Sequence, residues 1–368
     1  MKVLLVVGTL HAGGLERFVT RVSKQAIESH EFTPLVLCLH KREGIFLSEL
    51  EALNVQVIEA SKGWSRNILR FIELIRSIKH LNPDIVHSQV NFSIIQQWLA
   101  YYFAGARKIA FTERNCYPIH GVNRLKRFFQ FYFVKLFGAS YSANSEDVKV
   151  HLAKMVAYNS EKIKVLPNGV ETVLFSNEAR DEVRAKYHWG NNEIIFGYVA
   201  RMNRHKGHLY FIEVMLELEN ILDRKIKICF VGGGETLPEI ERKVHDSGLK
   251  ELTTFTGVVG NVQELMNGFD IVCLFSEREG MPNVVIEAMS CGKVVVANPV
   301  GNVRELFDGG AGTINPEASP HKTAMLIKQL IEDPGKVYQM EQLAKERIEK
   351  SFSLNASFQT LVEYYHSL

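Results

Sequence analysis

Twelve short apolar runs, separated by amphipathic stretches, constrain this chain more than any other feature. The first half holds Val3–Val7, Leu35–His40, Val55–Ile58, Ile85–His87, Ile109–Thr112, Tyr141–Ala143 and Ile163–Leu166. The second holds Ile194–Val199, Ile226–Val231, Leu252–Phe255, Ile271–Phe275 and Val294–Ala297. Strands that are continuously apolar, rather than alternating, are buried on both faces, as in parallel sheets wrapped by helices. The polar stretch Pro167–Asn192, opened by Pro-Asn-Gly, breaks the rhythm. At roughly 150 residues per domain the chain accommodates two such α/β units, one on each side of that break.

Composition removes several other classes. The five Cys are an odd number, widely spaced and without a Cys-x-x-Cys, which excludes a zinc ribbon or disulfide framework and suits a reducing cytosol. The apolar start Val3–Val7 is shorter than the core of a signal peptide. The uncharged stretch from Ile85 to Ala106 carries His87, Gln89, Asn91, Gln96 and Gln97, too polar for a lipid-facing span, and reads as a strand followed by a helix. The expectation is a cytoplasmic protein. Residues 1–175 contain 22 Lys/Arg against 14 Asp/Glu, and residues 176–368 contain 21 against 27. The basic first half points to an anionic partner there, such as a membrane surface or a phosphorylated acceptor, unless the asymmetry is scatter.

Open α/β sheets bind ligands beyond the carboxyl ends of their strands. Gly13-Gly14 follows the first strand, where backbone N–H groups at a helix start favour phosphate, or where a plain tight turn needs glycine. Arg201 leaves a strand end and Lys206 precedes a helix, two cations placed to clamp a diphosphate or simply to be solvated. Gly232-Gly233-Gly234 is either a nucleotide approach or a turn. The densest segment is Ser276–Met289: Glu279 lies on a loop after a strand, and Pro282 opens a helix that carries Glu287. That puts helix N–H groups between two carboxylates, although an acid near a helix start is also a simple dipole partner.

These pieces, with Val165-Leu166-Pro167-Asn168-Gly169-Val170 and Phe255-Thr256-Gly257 in the same order, resemble a retaining GT-B glycosyltransferase of family four over essentially the whole chain. The resemblance implies an acceptor-binding Rossmann-like domain at 1–168, completed by a final helix within 353–368, and a nucleotide-sugar-binding domain at 169–352, the two facing across a cleft. It implies that Arg201 and Lys206 neutralise the donor diphosphate and that Glu287 accepts hydrogen bonds from the ribose. Glu279, with the N–H groups of Gly280 and Met281, holds the transferred sugar; Pro282 and Asn283 complete that donor loop, and Gly13 and Gly14 meet the phosphate from the other domain. The family often has Glu-His at the end of the fifth strand. Here Thr112-Glu113-Arg114-Asn115 stands there, so no catalytic role for that His carries over. Glu113 and Arg114 are candidate acceptor residues, as is His87, which is otherwise a satisfied structural histidine.

Breaking a sugar–phosphate bond leaves negative charge on the diphosphate, which fixed cations and helix N-termini stabilise. No metal or other cofactor is expected, and no Asp-x-Asp occurs; Glu277-Arg278-Glu279 only mimics one. Retention is implied by the family, with front-face attack. The expected partners are a nucleotide sugar, with a UDP-sugar favoured, and a glycan or lipid-linked acceptor in cell-surface polysaccharide or glycolipid assembly. Nucleic acid is not among them. The alternatives are a nucleotide-sugar epimerase of the same fold or a two-domain sugar-binding protein.

One helix points toward the inner face of the plasma membrane. At 100° per residue, Leu125, Phe128, Phe129, Tyr132 and Leu136 fall on one face, expected to pack on the sheet. That leaves Phe131, Phe133, Val134 and Phe137 outside with Arg124, Lys126, Arg127, Gln130 and Lys135. Aromatics interleaved with cations fit an anionic bilayer, unless a neighbouring helix covers them.

Overall fold

The computed structural model describes residues 1–11, 13–116, 122–172, 177–260, 262–315 and 319–368. Ala12 of the first glycine turn and residues 173–176 of the expected boundary stretch lie outside them. The chain forms two compact units, Met1–Gly169 with Leu354–Leu368, and Val170–Ser353.

The first unit is built on a parallel sheet of β1 (Lys2–Val7), β2 (Thr33–Cys38), β3 (Gln56–Glu59), β4 (Ile85–Ser88), β5 (Lys108–Glu113), β6 (Ser140–Ala143) and β7 (Lys164–Val165). Its strand order is 3-2-1-4-5-6-7. β1 lies between β2 and β4, with Val3 opposite Pro34 on one side and Ile85 on the other. Its apolar run is continuous because it feeds two cores. Leu4 and Val6 pack with Leu37, Val86, Phe111 and Phe131, whereas Leu5 and Val7 face Phe18, Val22, Phe358 and Tyr365.

The second unit repeats the plan with β8 (Ile194–Val199), β9 (Ile226–Val231), β10 (Thr253–Gly257), β11 (Ile271–Leu274), β12 (Val294–Ala297) and β13 (Thr313–Ile314), in the order 10-9-8-11-12-13. The two-residue β13 has no apolar run behind it, since Gly312 and Asn315 flank it, and it escapes a reading based on such runs. In each sheet the order reverses beside the first strand of its unit, which opens a crevice at the carboxyl ends of β1 and β4, and of β8 and β11.

The last helix, Leu354–Ser367, belongs to the first unit. Phe358 stacks on Phe32 at 5.9 Å and Tyr365 meets the same ring edge-on at 5.5 Å. The hydroxyl of Ser357 donates to the carbonyl of Pro167. Burying a ring such as Phe358 contributes about 1.5–3 kcal/mol, which holds the chain's end to a sheet laid down some 200 residues earlier.

The helix Val122–Leu136 corrects the expected face assignment. Phe131 and Val134 are buried in the core of the first unit, and Arg127 turns inward to pair with Glu113. Leu125, Phe129 and Leu136, expected against the sheet, are exposed. Phe131 and Arg127 are therefore not surface residues, whereas Phe137, Lys126 and Arg124 are, with Phe133 and Lys135 half-buried. The helix is apolar on both sides, so periodicity alone cannot choose between them. The choice is made by Arg127, whose only charged partner among the described residues is the buried carboxylate at the end of β5.

Candidate functional site

In the second unit, local backbone packing sets the positions of the cations and carboxylates. β8 runs into Arg201, exposed at the strand's carboxyl end, then into a short turn Arg204–Lys206. Gly207 follows with φ +68°, and a Cβ there would lie 2.2 Å from the carbonyl oxygen of Phe275. Only glycine permits both the left-handed turn and that approach. The hydroxyl of buried Tyr198 donates to the carbonyl of Lys206 at 2.5 Å and accepts the Phe275 N–H at 3.0 Å. It ties the turn after β8 to the loop after β11. The Glu277 N–H adds a second tie by donating to the His205 carbonyl at 2.9 Å.

The outcome is one contact between residues 73 apart: the Lys206 ammonium donates to Glu279 at 2.5 Å. Beyond Glu279, Gly280 is clamped by Asn302, whose N–H donates to its carbonyl at 3.1 Å. Met281 is buried, Pro282 caps the helix Asn283–Ser290 without a side-chain cap bond, and Glu287 is buried one turn further on. Lys206 and Glu279 thus meet beyond the carboxyl ends of β8 and β11, and Gly280, Met281, Pro282, Asn283 and Glu287 follow on the same loop and helix after β11.

The glycine run after β9 has a structural explanation. Gly232 (φ +128°) and Gly234 (φ +157°) lie so close to the carbonyls of Ala200 and Met202 that a Cβ would come within 2.2 Å and 2.1 Å of those oxygens. They support the Arg201 turn. Two side chains here escaped the sequence reading. Tyr198 sits where any large apolar residue would fill the core, and only its two hydroxyl partners reveal its use. His208 opens the helix His208–Ile221, with neither ring nitrogen hydrogen-bonded among the described residues. Burial and neighbouring Lys206 push its pKa down to about 4.

In the first unit, Gly13 caps the helix Gly14–Ser29 in an extended conformation that any residue adopts (φ −170°), so the turn itself does not demand glycine there. His87 is a correction to the candidate acceptor site. It is buried, with Nδ1 hydrogen-bonded to the Tyr365 hydroxyl at 2.8 Å and Nε2 to Thr112 at 2.6 Å, leaving no ring nitrogen for a ligand. Burial, reinforced by Arg114, pushes its pKa down to about 3, so the ring is neutral. Glu113 is also buried and committed to Arg127, which donates besides to the Asn91 carbonyl at 2.9 Å.

Arg114 is different. It donates to Gln89 through Nε (2.9 Å) and Nη2 (2.7 Å), and to Asn168 through Nη1 (2.7 Å), while its guanidinium lies 4.8 Å from the Phe18 ring centroid. Its direct partners are neutral amides, and burial lowers its pKa to about 10 against the opposing influence of Glu16. The sequence marks Gln89 only as a polar residue of an uncharged stretch and Asn168 only as part of a motif, because an uncharged amide carries no signal of a site.

Comparisons with known proteins bear on these arrangements. The family model described as Glycosyl transferases group 1 matches residues 179–347, and that described as Glycosyltransferase Family 4 matches residues 12–174. EpsF of Bacillus subtilis (strain 168) is 25% identical over 321 residues, 85% of this chain and 82% of EpsF. The UDP-Gal:α-D-GlcNAc-diphosphoundecaprenol α-1,3-galactosyltransferase of Escherichia coli is 25% identical over 311 residues, 79% of each chain. Among solved structures, Anabaena HepE in complex with UDP and glucose superposes over 100% of both chains with a TM-score of 0.86 at 20% identity.

Proposed function

Since this chain belongs to the group 1 glycosyltransferases of GT-B fold, we propose that it moves a sugar from a UDP-sugar to a glycan or lipid-linked acceptor with retention of configuration. The observation that carries this reading is the meeting of Lys206 and Glu279 at the switch point between β8 and β11. An arriving diphosphate offers Lys206 and Arg201 a doubly charged partner. Glu279 is then released to accept hydrogen bonds from the sugar hydroxyls, while buried Glu287 accepts those of the ribose. The bond from the anomeric carbon to the β-phosphate oxygen breaks as the acceptor oxygen bonds to the same face, and the acceptor proton passes to the leaving phosphate. Two side-chain cations stabilise the charge that develops there. UDP as carrier is supported by the UDP complex of HepE and by the UDP-Gal named for the Escherichia coli relative. A diphosphate-linked acceptor is supported by that relative's name and by Arg114, a guanidinium near the end of β5 whose hydrogen-bond partners are neutral amides.

The test is a titration with UDP alongside turnover of a panel of UDP-sugars. Glu287→Gln should weaken UDP binding, since ribose contacts persist through the reaction, whereas Glu279→Gln should leave UDP affinity nearly intact and depress turnover. The reverse pattern would swap the two roles, and product release with no acceptor present would mean epimerisation. Turnover should also survive excess EDTA. Its loss, restored by Mg²⁺ or Mn²⁺, would overturn the metal-independent mechanism.

A further inference from the structure

Two exposed rings meet beyond the carboxyl ends of the first sheet. His40 follows β2 and Phe92 follows β4, the strands on either side of β1. Their rings stack at 5.0 Å between centroids, with planes 12° apart. The pair is not a plug for the core, which closes without it. Leu10, Leu39, Trp64 and Ile94 are buried, and the Trp64 indole N–H donates to the Leu39 carbonyl at 3.1 Å. His40 and Phe92 stay exposed, Phe92 at 36%. A single exposed ring is ordinary, but a stacked pair spanning the end of a strand is held there by specific contacts.

Each carbonyl of the segment Val90–Phe92 has a donor. Gln97 Nε2 donates to Val90 at 3.2 Å and to Phe92 at 2.5 Å, and Arg127 donates to Asn91 at 2.9 Å. The Asn91 side chain in turn donates to the Thr112 carbonyl at 2.9 Å. Ser93 then takes φ +50°, a conformation that residues with a side chain rarely adopt, and opens the helix Ile94–Phe103 without a side-chain cap bond. Strain kept on so firmly held a loop is a mark of ligand-binding segments. The other ring is held as well. The His40 N–H donates to the Gly8 carbonyl at 2.9 Å, and the Leu10 N–H ties the first loop to the Glu43 carbonyl at 3.1 Å. The Glu43 carboxylate, three residues beyond His40, meets exposed His11 at 3.3 Å and Lys41 at 3.5 Å.

Rigid aromatic faces beside a charged rim suit one chemistry. A pyranose ring carries polarised C–H groups on its faces and hydroxyls around its edge. The electron-rich face of an aromatic ring attracts the C–H groups, and a ring already fixed by its loop loses little freedom on binding. Carboxylate, ammonium and imidazole groups at the rim match the hydroxyls. We propose that the His40–Phe92 stack is a pyranose platform of the first unit, on which a sugar ring of the acceptor lies with its C–H face on Phe92 and its hydroxyls within reach of Glu43. The ring's role as acceptor rests on the glycosyl transfer proposed above; its binding to the stack does not.

Saturation-transfer NMR of the full chain with the methyl glycosides of glucose, galactose, N-acetylglucosamine and N-acetylgalactosamine tests the platform. At least one glycoside should bind, with saturation strongest on the C–H protons of a single ring face. Phe92→Ala should weaken that binding by about tenfold, as loss of an aromatic partner does, and Phe92→Trp should keep it. His40→Ala, which unstacks the pair from the other loop, should act in the same direction as Phe92→Ala. UDP affinity and circular dichroism should match the parent in all three variants. No binding of any glycoside, or folded Phe92→Ala and His40→Ala chains that bind glycosides like the parent, would overturn the platform and leave the transfer reading standing. A weaker UDP affinity in folded Phe92→Ala would also overturn it, by making the ring a partner of the base. Failure of every UDP-sugar to turn over, with glycosides still bound to the stack, would instead remove the transfer reading and support the platform.

Discussion

Two carboxylate–cation pairs stand near the carboxyl ends of the two parallel sheets, and their surroundings separate them. Glu113 and Arg127 in the first unit are 3% and 13% exposed, and Arg127 is further bound to a backbone carbonyl. Lys206 and Glu279 in the second unit are 26% and 12% exposed, on two loops tied together by the Tyr198 hydroxyl. A cation committed to a buried carboxylate and a carbonyl is part of the fold. A lysine on an open loop edge can exchange its partner for a ligand. Charge type and strand-end position are the same in both, so the difference teaches that accessibility decides which pair is open to a ligand.

The sharpest way to break this comparison is Arg127→Met. It strands a buried carboxylate, and the expected loss is about 3–5 kcal/mol of stability, read by urea unfolding of the full chain. Much of it should return in Glu113→Gln/Arg127→Met. A loss under about 1 kcal/mol would show the pair to be no more structural than its counterpart.

The matching substitution in the second unit should divide the other way. Lys206→Met is expected to cost about 10²–10³-fold in turnover, as losing a preorganised oxyanion donor does. Its effect on unfolding should be about 1 kcal/mol. An unchanged turnover with intact fold would remove Lys206 from the chemistry.

Two buried histidines, one in each unit, give the comparison a pH-dependent form. His87 has both nitrogens satisfied, whereas His208 has neither. Both have folded pKa values, about 3 and about 4, below the ordinary 6.5. The unfolded chain therefore binds protons first on acidification. Their contribution is fully present above pH 6.5 and is lost as pH falls, by about 1.4 kcal/mol per pH unit for each, down to the folded pKa. Unfolding measured between pH 6 and 5 should approach that slope, and His208→Leu should halve the combined loss at little cost at pH 7. His87→Leu should cost more, since it removes the His87 partner of the buried Tyr365 hydroxyl and one of the two partners of the Thr112 hydroxyl. Equal costs would mean that hydrogen bonding does not distinguish the two sites.

Much of this was legible in the chain itself. Continuous apolar runs are forced on any strand covered on both faces, so twelve of the thirteen strands among the described residues announce themselves, and with them the two α/β units. The order of Lys206, Glu279 and Pro282 after particular strands carries the outline of a candidate site on the second unit, because strand ends and helix starts fix where side chains emerge. Tertiary structure alone decided the rest. It brought Lys206 onto Glu279 across 73 residues, and it committed His87 to a tyrosine 278 residues away. It also turned the helix Val122–Leu136 so that Phe131 and Arg127 face inward. Sequence periodicity reports how apolar each side of a helix is. Which side is buried depends on the partners waiting there, and a carboxylate at the end of β5 outweighs three aliphatic and aromatic side chains that stay exposed.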